Sequence, residues 1–168
     1  MDYLKKQFEE AYENYANAIY RLCIYKTSNH EQAEDLTQEV FIRYWDYVSE
    51  GGKVLNIKAF LYQTARNLII DYYRKKKTSS LDVLQEQGFD PSADDHNRIV
   101  NESEKNIAIQ IIEKLDDKYR DVVYLRLVDD MSMEEIAQTL KISTNNATVR
   151  FHRGYKQLES YIKNNENR

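Results

Sequence analysis

Across residues 132–158, SMEEIAQTLKISTNNATVRFHRGYKQL, the apolar positions leave one helical register and enter another within three residues. Ser132 followed at the third position by Glu135 is a capping-box start, and Met133, Ile136, Ala137 and Leu140 then share one helical face. Lys141, Ile142 and Ser143 form the corner. Ser143 can cap a second helix, in which Ala147, Phe151, Gly154 and Leu158 recur at four, three and four. Two helices joined so closely must pack their apolar stripes on a shared core, which constrains this end of the chain to a small helical unit. The second helix keeps an opposite face of Asn145, Thr148, Val149, His152, Arg153 and Lys156, with Arg150 at its side. That face suits a DNA major groove: amides bond base edges, threonine and valine methyls meet a thymine methyl, and Arg, Lys or His reach phosphate or guanine. An ordinary helical hairpin with a polar outside is the plainer alternative.

Little elsewhere interrupts helix. The 168 residues include four Gly and one Pro, so long helices are expected, in one or two small domains of a soluble globular chain. No apolar run approaches the roughly 20 residues that span a bilayer, so no membrane insertion is expected. The N-terminus MDYLKKQFEE has acids where a signal peptide would have an apolar core, so the expected location is the cytoplasm. Cys23 is the one cysteine, and with His30, His96 and His152 scattered it makes no metal-ligand cluster; a packed, unreactive thiol and no cofactor are expected.

Net charge is −4, whereas a protein that bound DNA unaided through many phosphates would be basic. The charges are segregated. Residues 1–50 hold 10 acids against 5 Lys/Arg, residues 51–77 hold 1 against 7, residues 78–106 hold 7 against 2, and residues 107–168 hold 10 of each. This is the pattern of a DNA-contacting strip beside acidic surfaces that meet another, basic partner.

In chain order, Phe8, Ala11, Tyr12, Tyr15, Ala18, Ile19 and Leu22 form the seam of a first helix ending near residues 25–28. Asn29 can cap a second helix, with Gln32 at its third position and Ala33, Leu36, Val40, Phe41, Tyr44 and Val48 inward. Residues 49–55 are irregular and contain Gly51 and Gly52. Asn56 then starts a third helix with Ile57, Leu61, Ala65, Leu68 and Tyr72 inward and a basic end at residues 74–77. Residues 78–106 lose periodicity, are rich in acid, Ser and Asn, hold the only proline, and read as a linker. Helical patterning resumes at Ile107, Ile111, Ile112 and Leu115, then at Tyr119, Val122, Val123, Leu125 and Leu127, and leads into the hairpin. The fold class is therefore all-α, two small helical domains joined by a flexible acidic linker.

Three runs carry a family resemblance: AEDLTQEVFIRYW at 33–45, AFLYQTARNLIIDYYRKKK at 59–77, and LDDKYRDVVYLRLVDDMSMEEIAQTLKIS leading into NNATVRFHRGYKQL. Together they resemble the extracytoplasmic-function group of the sigma-70 family, promoter-specificity subunits of bacterial RNA polymerase. On this resemblance residues 5–77 are region 2, 78–106 the linker and 107–162 region 4. Lys141 stands where the family usually has Gly at the hairpin turn, Asp116 and Asp117 replace a common Pro-containing pair, and Gln63 and Thr64 replace a basic and an apolar residue. Thr148 sits where Lys or Arg is frequent, which bears on promoter sequence rather than on function.

The resemblance implies roles. It places Asp35, Gln38, Glu39, Arg43 and Trp45 against a coiled-coil of the polymerase's largest subunit. Independently, Asp35, Gln38 and Glu39 lie three and four apart on the face opposite Leu36 and Val40, outside the core. The family's loop and following helix capture the non-template strand of the −10 element, which implies Gly51, Gly52, Lys53, Asn56, Lys58, Phe60, Tyr62, Arg66, Asn67 and Arg74 here. The mixture of cations, amides and aromatic rings in this stretch fits unstacked single-stranded bases, although Phe60 and Tyr62 also suit a core. Asn145, Thr148, Val149, Arg150, His152, Arg153 and Lys156 would read a −35 element in duplex form. The linker, with Asp82, Glu86, Asp90, Asp94 and Asp95, would thread the basic channel by which RNA leaves, or act as a tether. The implied partners are the polymerase core, including its flap region, promoter DNA and an anti-sigma factor. The competing reading is a stand-alone helix-turn-helix regulator, which would usually dimerise and would not need the first domain. An enzyme is not expected: the carboxylates fall on helix surfaces or in the linker, and no phosphate loop or nucleophile–base motif is present.

Overall fold

A computed structural model describes residues 2–87 and 107–166, which form seven helices in two compact units. Helix α1 spans Asp2–Thr27, α2 His30–Ser49 and α3 Ile57–Gln87; these make the N-terminal unit. Helices α4 (Ile107–Glu113), α5 (Asp117–Leu127), α6 (Met133–Leu140) and α7 (Thr144–Glu166) make the C-terminal unit.

In the N-terminal unit α1 runs for 26 residues without Gly or Pro and stops where Ser28 takes a left-handed φ of 51°. Asn29 starts α2 as the sequence suggests, its Oδ1 accepting the Gln32 N–H at 2.9 Å. Ala33, Val40, Phe41, Tyr44 and Val48 of α2 are buried with Ala11, Ile19 and Leu22 of α1 and Ala59, Leu61, Ala65 and Leu68 of α3. Phe8 closes this core from the side, its ring parallel to Tyr44 at 6.2 Å and edge-on to Trp45 at 5.4 Å. Cys23 is buried, and loss of solvent pushes its thiol up to about 11 against a smaller lowering by its hydrogen bond with Thr37. It is an inert packing residue.

Two features depart from the sequence reading. Tyr12 is half-exposed rather than inward, lying edge-on over Phe41 at 4.9 Å. Helix α3 continues past residue 77 to Gln87, so the first part of the expected linker is helical. The stretch TSSLDVLQEQ contains no Gly or Pro, so nothing in it stops a helix already under way, and loss of apolar period alone does not mark an end. Of the linker acids, Asp90, Asp94 and Asp95 lie outside the described residues.

The C-terminal unit is built by capping and by one close approach. Ser132 Oγ accepts the Glu135 N–H at 3.1 Å while the Ser132 N–H donates to Glu135 Oε2 at 2.9 Å, the reciprocal box legible in the sequence. At the other end of α6 the Ile142 N–H reaches back to the Ala137 carbonyl at 3.0 Å, which forces Lys141 to φ 54°, ψ 47°. The core is Ile112, Leu115, Tyr119, Val122, Val123, Tyr124, Leu125, Met131, Ile136, Ala137, Ala147 and Leu158. Leu127, expected inward, is 45% exposed. Helix α7 lies on α5 at Gly154, where an added Cβ would stand 2.6 Å from Val123 Cγ2 and 2.8 Å from Tyr119 Cβ. Further along, Gln157 Nε2 donates to Asp116 Oδ2 at 3.0 Å and Tyr161 Oη donates to the Lys114 carbonyl at 3.3 Å, which ties α7 to the start of α5.

Two substitutions test this construction. Gly154→Ala should lower the stability of the C-terminal unit by about 1–3 kcal/mol, because a methyl group has no room between α5 and α7. Lys141→Gly should raise it by about 1 kcal/mol by removing a side chain from the left-handed region. Urea unfolding of the full chain, with hydrogen exchange at the α5–α7 amides to isolate this unit, measures both; shifts of opposite sign would overturn the geometry.

Candidate nucleic-acid interface

The two units carry three candidate surfaces, each made by the side of a helix that its core leaves free. On α7 the first turn is capped by Ser143, whose Oγ accepts the Asn146 N–H at 3.1 Å. Ala147, Gly154 and Leu158 face the core, so Asn145, Val149, His152, Arg153 and Lys156 are exposed and Thr148 is partly so. Thr148 Oγ1 donates to the Thr144 carbonyl at 2.9 Å, so the side chain offers its methyl group and an oxygen lone pair outward, but not its proton. Arg150 is held to the flank, Nε donating to Asn146 Oδ1 at 2.8 Å. Tyr155 was missed by the sequence reading. It is 41% exposed, stands three residues beyond His152 and lies 5.7 Å from the Phe151 ring; the spacing from His152 was the available signal.

On α2, Asp35, Gln38 and Arg43 are exposed and Glu39 partly so. Arg43 Nε donates to Glu39 Oε1 at 2.8 Å, an exposed pair one helical turn apart. Trp45 is half-buried against Phe8 and stands at the edge of the face rather than at its centre. The centre is occupied by Ile42, 53% exposed and absent from the sequence candidates. It follows Gln38 by four and Glu39 by three, which places it among the acids and away from Phe41 and Tyr44.

The third surface is the segment between α2 and α3, with the outer face of α3. Gly51, at φ 91°, and Gly52 close α2: the Gly51 N–H donates to the Val48 carbonyl at 3.2 Å and the Gly52 N–H to the Tyr47 carbonyl at 2.9 Å. A Cβ on Gly52 would meet the Tyr47 ring at 2.4 Å. Asn56 Oδ1 accepts the Ala59 N–H at 2.8 Å and so begins α3. Between these anchors a pocket of about 370 Å³ opens between Tyr3, Leu4 and Gln7 of α1 and residues 48–49 and 51–54. Lys53 is exposed, Lys58 partly exposed, and Phe60 lies between the Tyr44 ring at 5.8 Å and the Tyr47 ring at 5.2 Å.

Tyr62 must be removed from the candidates for a stacking platform. It is wholly buried and belongs to the core of the N-terminal unit. The stripe that does face outward holds Arg66, Asn67 and Arg74, the last paired with Asp71 at 3.1 Å. Ile70, 47% exposed, and Tyr73, 36% exposed, complete it and were missed. Tyr73 donates its hydroxyl to the Lys26 carbonyl at the end of α1, and burial followed by the neighbouring Tyr72 pushes its phenol up.

Comparison with known proteins gives these surfaces a family. Residues 11–79 match sigma-70 region 2 and residues 105–158 match sigma-70 region 4. The ECF RNA polymerase sigma factor SigW of Bacillus subtilis is 31% identical over 166 residues, covering 93% of this chain and 89% of that protein. The ECF RNA polymerase sigma factor SigE of Mycolicibacterium smegmatis is 30% identical over 158 residues, covering 92% of this chain and 61% of that protein. A solved structure of the sigma factor RpoE with the anti-sigma factor NepR from Bartonella quintana has the same fold, with a TM-score of 0.67 at 19% identity over 94% of this chain and 98% of that one. The chain belongs to the sigma-70 family of RNA polymerase sigma factors, in its extracytoplasmic-function group. Sigma-factor function is thereby favoured over a stand-alone helix-turn-helix regulator.

Proposed function

We propose that this chain directs core RNA polymerase to promoters by dividing three contacts among the three surfaces. Asp35, Gln38, Glu39 and Arg43, with Ile42 at the centre and Trp45 at the edge, dock on the basic coiled-coil of the polymerase's largest subunit. The segment at residues 49–58 and the outer stripe of α3 hold the non-template −10 strand as single strand, with Lys53, Asn56, Lys58, Arg66, Asn67 and Arg74 along it and Phe60 behind it. Asn145, Thr148, Val149 and His152 read the −35 duplex, while Arg153 and Lys156 contact phosphate. The protein acts by binding, in the cytoplasm with the polymerase, and an anti-sigma factor is a further partner. Among the described residues no helix is long and apolar enough to cross a membrane.

The observation that carries this reading is that matches to regions 2 and 4 lie in order in one chain, one in each compact unit. A stand-alone regulator would have no use for the first of them. Charge supports the division: the only strongly basic segment is residues 51–77, and the surface assigned to polymerase is acidic. With a net charge of −4 the chain alone has little electrostatic hold on DNA, so it is expected to bind promoters as part of a larger basic assembly.

Two sets of variants test the two units. Asp35→Lys with Glu39→Lys should abolish co-purification with core polymerase while the circular dichroism spectrum of the chain is unchanged, since both residues lie outside the core. Co-purification retained at wild-type level would remove the α2 assignment. In a library of promoters bound by the holoenzyme, Thr148→Ala should relax preference at one base pair, the ~1–3 kcal/mol that one matched side chain contributes. Thr148→Ser should do the same, because the methyl group is what both lose. Arg153→Ala should weaken all sequences alike, and an unchanged base preference in both Thr148 variants would mean that α7 sits in the groove at another rotation.

A further inference from the structure

Leu55 is fully exposed, at 102% of the reference area, the most exposed of the large apolar residues described. Its position makes that exposure unusual. Asn56 is the cap of α3, so Leu55 precedes the cap and Phe60 stands four residues beyond it. An apolar pair at those two places ordinarily closes on itself as a hydrophobic staple that fixes how the chain enters a helix. Here the staple is not made: Phe60 is engaged by the rings of Tyr44 and Tyr47, and Leu55 points away from the core. The segment that presents it is nonetheless fixed at both ends, by the Gly52 N–H on the Tyr47 carbonyl and by the Asn56 side chain on the Ala59 N–H. A scattered exposed apolar residue needs no explanation, but a leucine with no packed atoms on a doubly anchored turn is held out for a partner.

The surroundings say what the partner is. Within three residues of Leu55 on either side stand Lys53, exposed, and Lys58, partly exposed, and residues 51–58 hold no acid. A protein partner able to cover an isolated leucine would bring an apolar surface, which this cationic stretch does not complement. DNA brings both phosphates for the cations and, between its stacked bases, an apolar slot for the leucine. Leu, Phe, Ile and Met side chains enter such slots and unstack the step. We propose that Leu55 is the wedge that separates the first base step to open. It is a positioning residue that lowers the barrier to melting rather than a reader of the captured base. This inference rests on the −10 reading of residues 49–58 given above.

The test uses holoenzyme made from the full chain and core polymerase, on a promoter recovered by sequencing the DNA that the holoenzyme binds. Two templates are compared: the linear duplex with a fluorescent base analogue in the −10 element, and the same sequence already opened by mismatches there. Leu55→Ser should slow the fluorescence rise on the duplex about tenfold, and on the mismatched template should bind within about twofold of wild type, since no step remains to be unstacked. Leu55→Met, which keeps a long apolar side chain, should restore most of the rate. A Leu55→Ser holoenzyme as fast as wild type on the duplex overturns the proposal. So does one equally impaired on both templates, which would make Leu55 a contact to bases already free. Lys53→Glu with Arg66→Glu in the same assay separates this from the reading beneath it. If that pair weakens binding to both templates while Leu55→Ser is silent, only the wedge fails; if the pair is silent too, the −10 assignment fails with it.

Discussion

The packing of Val40 and Tyr44 against α1 and α3 sets the rotation of α2, and the acidic face follows from that rotation. Both side chains are fully buried, and Phe41 and Val48 nearly so, which fixes one side of a helix that has no freedom to turn without emptying the core. The opposite side, carrying Asp35, Gln38, Glu39 and Ile42, is then presented whether or not a partner is there. The Glu39–Arg43 pair on it is exposed and adds little to folding. The same logic holds in the C-terminal unit, where Gly154 against Val123 and Tyr119 fixes α7 and thereby aims Thr148, Val149 and His152 outward.

Each unit therefore has a core that makes a surface rigid, and the surfaces differ in the chemistry they offer. The α2 face is acidic with one apolar centre. The α7 face is amide-rich and basic. The segment before α3 carries Lys53 and is closed by glycines, Gly51 at a positive φ, while the other cations of residues 51–77 lie along α3. Each surface supplies only part of what stable promoter binding needs, and a net charge of −4 leaves the chain with weak attraction for DNA by itself. On the proposed division of contacts, selectivity comes from the few base contacts and affinity from the polymerase.

Much of this was legible in the sequence where a local rule has a single solution. The Asn29 and Ser132 caps, the inner face of α2 and the hairpin of α6 and α7 each follow from residue spacing that the backbone geometry leaves little freedom to satisfy otherwise. What failed did so where tertiary packing decides. Tyr62 and Phe60 are two residues apart on α3, and only the placement of α1 and α2 makes one core and the other rim. Ile42 and Leu127 are apolar but face outward, because the helices carrying them bury a neighbouring stripe instead. The continuation of α3 to Gln87 was missed because residues 78–87 lack apolar periodicity, while the absence of Gly and Pro there, which lets a helix run on, gives no positive signal. Lys141 stands where the family usually has Gly, and the left-handed backbone set by the bond from Ile142 to Ala137 is why glycine suits that place.

A gel-shift series on labelled duplex promoter, run with this chain alone, with core polymerase alone and with both, tests the sigma-factor mechanism most directly. A sequence-specific complex that forms only when both are present, and that opens the −10 element without added nucleotide, is the predicted result. A specific complex formed by the chain alone at the same salt concentration, unchanged by core polymerase, would contradict it.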